Sequence, residues 1–275
     1  MPFHAWKPKP SRPVLNRANG LCRGLIFASA PGWTYGFTNG TIQTDPDEYL
    51  RLRGVWNASP LNASPWTSGN ESGGRGIDNG DGSFTAAPEW LIPAGDTRYD
   101  ITRGWSAAVL VRPDILSTDV NIPLFKRRDQ PYGATDPGWH FSAGAGNTWR
   151  VEICDGAAEA SCVGTTTQNT VRGDMLVATY DRTTLRLYVN GALEASTATG
   201  IAVGNSAAAI KILGLGTAGA GQPNYSGMVS LGLVWKRQIS NAEIGALYAR
   251  PWDMWTLPEE PEGIGGSFQS YMLVF

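Results

Sequence analysis

Apolar and polar positions alternate in short runs along most of this 275-residue chain. The clearest stretch is TYDRTTLRLYVNGALEAST, Thr179 to Thr197, in which two alternating runs flank Asn190-Gly191. That dipeptide tolerates positive φ at both central positions and predicts a tight type I′ hairpin. Leu185, Leu187 and Val189 fall on one face, Arg186 and Tyr188 on the other, the pattern of a half-buried antiparallel strand. SGMVSLGLVWKRQ (Ser226–Gln238) predicts a further strand. ISNAEIGALYARPW then predicts a short helix over Asn241–Ala249, with Ser240 and Glu243 as a capping box and Pro251 as its stop. The expected core takes in Val109, Val111, Leu185, Leu187, Val189, Leu231 and Leu233.

Composition narrows the class. An apolar content of 42% over this length buries a large core, and a sandwich of this size is commonly one domain. The 34 glycines and 18 prolines suit many short strands joined by turns. A net charge of −2 lacks the dense basic surface that general nucleic-acid binding needs. No run is long and apolar enough to span a bilayer as a helix, and MPFHAWKPKPSRPVLNR lacks the apolar segment of a secretory signal. Cys22 reads as a small buried apolar residue. Cys154 and Cys162 bracket DGAAEAS and could face each other across a hairpin; reduced thiols are the favoured reading, as for an intracellularly assembled protein. Two histidines and no CxxC pair leave no zinc site.

The two ends carry unlike charge. Before Asp45 there is no acidic side chain, while Lys7, Lys9, Arg12, Arg17 and Arg23 all occur. Four prolines within the first 13 residues favour an extended path for a basic arm over residues 1–20. A sandwich domain is expected over 21–252. Residues 253–275 then form an acidic linker (Asp253, Glu259, Glu260, Glu262) and an apolar, strand-like YMLVF. Such an arm can add a strand to a neighbour's sheet edge. Lys7, Lys9 and Arg12 would then steer toward acidic surface, and Tyr271, Leu273 and Phe275 would fill apolar pockets.

Several apparent signatures fail on context. Gly214–Gly219 spells GxGxxG, but a loop follows it rather than the helix a phosphate site requires. Arg172-Gly173-Asp174 reads as a turn before the Met175–Tyr180 strand. Catalysis by paired carboxylates needs two on one strand face. No ExDxE-like run exists; the nearest, Glu152 and Asp155, are three apart and project to opposite faces. His4 and His140 are the two possible bases, and a half-buried, satisfied His140 is the simpler reading. Asp78 and Asp81 in DNGDGS are candidate calcium ligands, with a plain Asp/Asn/Gly turn favoured. In the insertion GVWNASPLNASPWTSGNESGG, Trp56 and Trp66 more simply pin the loop than stack on a ligand.

The order of these pieces resembles the laminin-G-like, concanavalin A-like jelly roll. The family's "TYDG-x-x-LRLYVDG-x-L" hairpin is matched by Thr179–Asp181 and Leu185–Gly191, with Asn190 in place of Asp. Its "IDEVRIYNRALS-x-x-EI-x-x-LY" is matched by Val234–Ser240, Glu243-Ile244 and Leu247-Tyr248, with Ser230-Leu231-Gly232 replacing the acidic pair. WSAAVLVRPD (Trp105–Asp114) is similar to its "FTISAWVRPD", and Leu124-Phe125-Lys126 to its "I-L-S-K". The resemblance implies an all-β, two-sheet antiparallel jelly roll with one short helix near the C-terminus.

Leu15–Ile26 further resembles the "INRAHPLARGLV" opening of laminin-G-like proteins of tailed bacteriophages, and Leu247–Trp255 their "LY-x-NPW" close. That resemblance implies a non-enzymatic virion protein, assembled in the host cytoplasm and decorating or cementing the capsid. Its partners would be the major capsid protein and copies of itself, and no cofactor is expected. The competing class is a carbohydrate-binding module on a virion fibre or a bacterial surface. There Trp33, Tyr35, Trp66 and Trp139 would stack on the sugar rings of a host glycan.

Overall fold

The computed structural model describes side chains at residues 15–16, 18–28, 104–116, 137–203 and 227–255. It adds the backbone alone at 14, 29, 41–42, 54–56, 66–67, 76–78, 88–90, 124–127, 210–212 and 256. In chain order the strands are β1 (Val14–Leu15), β2 (Leu25–Ser29), β3 (Thr41–Ile42), β4 (Gly54–Trp56), β5 (Trp66–Thr67) and β6 (Gly76–Asp78). There follow β7 (Pro88–Trp90), β8 (Trp105–Pro113), β9 (Leu124–Arg127), β10 (Gly138–Gly144), β11 (Thr148–Cys154) and β12 (Glu159–Val163). The last are β13 (Asp174–Tyr180), β14 (Thr184–Val189), β15 (Ala192–Ala198), β16 (Ile210–Ile212), β17 (Gly227–Trp235) and β18 (Trp255–Thr256). A 3-10 turn spans Gly20–Cys22, and one helix, α1, spans Asn241–Ala249.

These strands build two antiparallel sheets. One runs β12-β11-β10-β9-β16-β7-β4-β3; the other runs β15-β14-β13-β8-β17-β6-β5. On the far side of β17, β2 joins beside β6. The architecture is the two-sheet jelly roll that the alternation and the resemblance imply.

The hairpin forms as the sequence dictates. Asn190 and Gly191 take φ of +52° and +82°, the type I′ requirement. A Cβ at Gly191 would meet the Tyr248 ring at 3.1 Å, so packing enforces glycine as well as conformation. The helix ends are as expected: Ser240 Oγ accepts from Glu243 N–H, and the Glu243 carboxylate accepts from Ser240 N–H.

Two apolar layers hold the fold. Trp139 and Phe141 of β10 and Trp149, Val151 and Ile153 of β11 face Val109, Val111, Leu176, Leu185, Leu187 and Val189 of the second sheet. The second layer lies outside that sheet. There Leu110, Met175, Val177, Leu231, Leu233 and Trp235 are covered by Ile244 and Leu247 of α1 and by Leu15, Leu21, Trp252 and Trp255. β8 and β13 are thus buried on both faces, which is why their sequences read as apolar runs rather than alternations.

All seven expected core residues are buried; Leu231 and Leu233 lie in the outer layer and the other five in the layer between the sheets. A bulge at Ser230 is the cause: Val229 pairs Val111, whereas Leu231 pairs Leu110, so the alternation changes phase. One expectation about sidedness is corrected. Tyr188, expected on a polar face, is buried because α1 covers it, and its hydroxyl donates to Asn241 Oδ1 at 2.9 Å.

The two ends of the described residues meet. Val14 pairs Thr256 and Leu15 pairs Trp255, forming a separate two-stranded sheet. Asn16 N–H donates to Met254 O at 2.7 Å, and Asn19 Nδ2 to Asp253 O at 3.0 Å. Arg237 braces this corner. Its guanidinium donates to Arg23 O and Gly20 O and pairs with both carboxylate oxygens of Glu243.

Candidate functional site

The acidic groups of the hairpin region are spent on local donors. Asp181 Oδ1 accepts from Thr183 N–H and Thr184 N–H, and its Oδ2 from Arg186 at 2.7 Å. Burial pushes this carboxyl up, but those bonds outweigh it and hold it well below the ordinary carboxylate range. Asp155 accepts from the N–H groups of Ala157 and Ala158 and is lowered by them.

Glu194 sits at a bulge, since Leu187 pairs Ala195 while Tyr188 pairs Leu193. Freed from the ladder, its carboxylate accepts from Thr165 N–H, Thr166 N–H and the Thr166 hydroxyl. Asp174 is fully buried, and it accepts from Trp149 Nε1, Asn169 N–H and Asn190 Nδ2, each at 2.8 Å. Burial drives the Asp174 carboxyl up against the pull of those donors. Each of these four carboxylates accepts at least two hydrogen bonds from nearby donors, and of the four only Asp174 is fully buried.

Glu152 belongs to a row of polar side chains instead. On β10 and β11, Trp139, Phe141, Trp149 and Val151 point inward, so His140, Ser142, Arg150 and Glu152 share the outer face. His140 lies directly opposite Glu152 in the ladder, and Ser142 opposite Arg150. Glu152 Oε2 is 3.6 Å from Arg150 Nε and 3.9 Å from His140 Nε2, and Arg150 Nε donates to Ser142 Oγ at 3.0 Å. Glu152 is 8% exposed and His140 3%. By backbone register the same face carries Phe125, Lys211 and Glu89 across β9, β16 and β7. This polar row is the candidate site. It can orient a hydrogen-bonding ligand, and the nearest described carboxylate on that face is Glu159, two residues along β12 from Ser161, which lies opposite Glu152. Sequence reasoning passed over Ser142 and Arg150; the signal was the polar alternation in WHFS and WRVE.

The residues singled out from sequence are placed as follows. Trp139 is 1% exposed and stacks on Trp105 with centroids 5.1 Å apart, so it is a core ring and not a surface platform for sugar. Its alternation partner Phe141 faces the same interior, which makes the burial inevitable once the sheet pairs. Trp66 and Asp78 are described as backbone, in β5 and β6. Trp33, Tyr35, Asp81, Lys7, Lys9, Arg12, Tyr271, Leu273 and Phe275 lie outside the described residues, as does the Gly214–Gly219 motif. Asp174 of the Arg-Gly-Asp tripeptide is buried in the interior, with Gly173 at φ +80°, so that segment is a turn. Neither Cys154 nor Cys162 forms a disulfide: Cys154 lies opposite Glu159, and Cys162 opposite Val151. Among the described residues no group of His, Cys, Asp and Glu could hold a metal ion.

A two-sheet antiparallel sandwich whose second sheet is covered by a helix defines a lectin-type jelly roll. Residues 89–245 match the laminin-G-type family model described as the concanavalin A-like lectin/glucanases superfamily. The chain belongs to that superfamily. No curated protein matches it.

Among solved structures it is similar to Trypanosoma rangeli sialidase, with 16% identity and a TM-score of 0.54 over 91% of this chain and 36% of that one. It is also similar to the binding domain of Paraclostridial mosquitocidal protein 1, with 12% identity and a TM-score of 0.55 over 83% and 52% of the two chains. The chain therefore spans about a third of the sialidase and about half of the binding domain. At these identities the likeness is one of fold, and the fold is common to an enzyme and a binding domain.

Proposed function

We propose that this chain is a non-enzymatic structural protein of a tailed-phage virion, decorating or cementing the capsid through its two terminal segments and working without a cofactor. The observation that carries the reading is the pairing of Val14 with Thr256. It makes the basic arm and the acidic tail leave the domain side by side, from one corner braced by Arg237. Prolines 8, 10 and 13 in the arm and 258 and 261 in the tail withhold ladder donors, so the two segments have no continuous register in which to zip together. Each is left to reach a partner: the major capsid protein, or another copy. The phage-like opening Leu15–Ile26 and close Leu247–Trp255 support the same reading.

Deleting residues 1–13, which spares Val14 and Leu15, should leave a folded sandwich that no longer incorporates into particles. Wild-type occupancy by the truncated chain would overturn the proposal.

The outer-face row of His140, Arg150 and Glu152 favours a second reading, binding of a host glycan. One of the solved sialidases is in complex with sialic acid. Retention of the isolated chain on a glycan array, lost in Arg150→Ala, would establish that reading in place of the first.

A further inference from the structure

β15 closes one side of the second sheet. Its inner neighbour is β14, and among the described residues none pairs with its outer side. Thr199 N–H donates to Thr183 O at 2.7 Å. Antiparallel ladders alternate, so the amides of Ala195 and Thr197 face β14 while those of Ser196 and Ala198 face outward. Edges are ordinarily blunted by lysine, proline or a short strand. β15 is seven residues long and its sequence, ALEASTA, holds no Lys, Arg or Pro. Its one charge, Glu194, is turned onto Thr165 and Thr166. Leu193 is 55% exposed beside this edge, and Val163 on β12, the neighbouring edge of the other sheet, is also exposed. Side chains join the two edges: Thr197 Oγ1 donates to Ser161 O, and Cys162 Sγ approaches Thr197 Oγ1.

The sequence supplies a strand to match. YMLVF (Tyr271–Phe275) is apolar throughout and rich in strand-forming residues. It follows Gly263–Ser270, GIGGSFQS, a glycine-rich tether. From Thr256, residues 257–270 reach roughly 45 Å when extended, enough to cross to a neighbouring domain.

Resting on the assembly reading above, we propose that the outer edge of β15 receives the Tyr271–Phe275 segment of a second copy of this chain as an added strand. The backbone of Ser196 and Ala198 supplies the hydrogen bonds, and Tyr271, Leu273 and Phe275 cover Leu193. Every copy then both gives and receives a strand. Such a head-to-tail contact closes into a ring or extends as a lattice, the kind of connection a capsid surface layer needs.

The test compares the full chain with a variant lacking residues 271–275 and with Ser196→Pro, which removes an outward donor while leaving the β14 ladder intact. Mass is measured by light scattering, and exchange is followed at the Ser196 and Ala198 amides. The full chain should self-associate with both amides protected. Each variant should associate at least tenfold more weakly, with a melting temperature near that of the full chain, and the truncated chain should lose the protection. Association unchanged in the truncated chain or in Ser196→Pro would overturn the proposal. So would a monomeric full chain: protected amides would put the chain's own tail on the edge, and exposed ones would leave the edge empty. Should particle incorporation depend on residues 1–13 while self-association ignores both variants, the assembly reading stands and this one fails.

Discussion

Trp149 Nε1 donates a hydrogen bond to Asp174 Oδ2 at 2.8 Å, and it does so across the sandwich, from β11 of one sheet to β13 of the other. The same carboxylate holds the loop before β13 through Asn169 N–H and the hairpin turn through Asn190 Nδ2. One buried acid therefore ties both sheets, a loop and a turn. Asp174→Ala strands one buried donor, Trp149 Nε1, and two part-buried ones, and each unsatisfied buried donor costs about 1–3 kcal/mol. A loss of at least about 2 kcal/mol is expected in denaturant unfolding. Asp174→Asn should not restore it, because an amide NH2 must then oppose another N–H. A change under ~0.5 kcal/mol would show that water satisfies these groups instead.

Leu187 and Leu193 lie on adjacent strands but in opposite environments, the first fully buried and the second mostly exposed. Leu187→Ala should cost about 2–5 kcal/mol. Leu193→Ala should fall within about 0.5 kcal/mol of wild type in the monomer. Equal losses in chemical denaturation would mean that the register of β14 is misplaced.

Acid should weaken the corner at α1. The bidentate bond from Arg237, with Ser240 N–H, pulls the Glu243 carboxyl from near 4.5 to about 2. A depressed folded value stabilises above the ordinary one, and that stability is lost as pH falls from ~4.5 through about 2. Glu243→Gln should therefore lower the melting temperature at pH 7 and flatten its fall over that window. Ser240→Ala removes the cap and should cost about 1 kcal/mol. A wild-type acid limb in Glu243→Gln would assign the acid loss to other carboxylates, among which Asp181 and Glu194 are lowered in the same direction.

No glycan hydrolysis is expected, since Glu152 is only 8% exposed and sits beside Arg150 and His140 rather than open to a glycosidic bond. Incubation with β-glucans and bacterial surface polysaccharides should release no reducing ends. Turnover abolished by Glu152→Gln would reverse this expectation.

Local chemistry was legible wherever the deciding partners are near in sequence. Asn190-Gly191 dictated its turn because two adjacent residues must hold positive φ. Ser240 and Glu243 dictated the start of α1 because each satisfies the other's backbone within one turn. Trp105–Asp114 and Met175–Tyr180 were legible as strands, while their burial on both faces came from the helix and terminal segments that cover the second sheet. The tertiary structure decided what depends on distant chain. The Ser230 bulge, in a strand that pairs β8 on one side and β2 and β6 on the other, set Leu231 and Leu233 in the outer layer. Packing of α1 buried Tyr188, and the meeting of two sheets buried Trp139 against Trp105. Asp174 and Glu152 look alike as sequence, acids at strand positions. One became the interior tie and the other a member of the polar face, because strand pairing, and nothing local, set which side each would take.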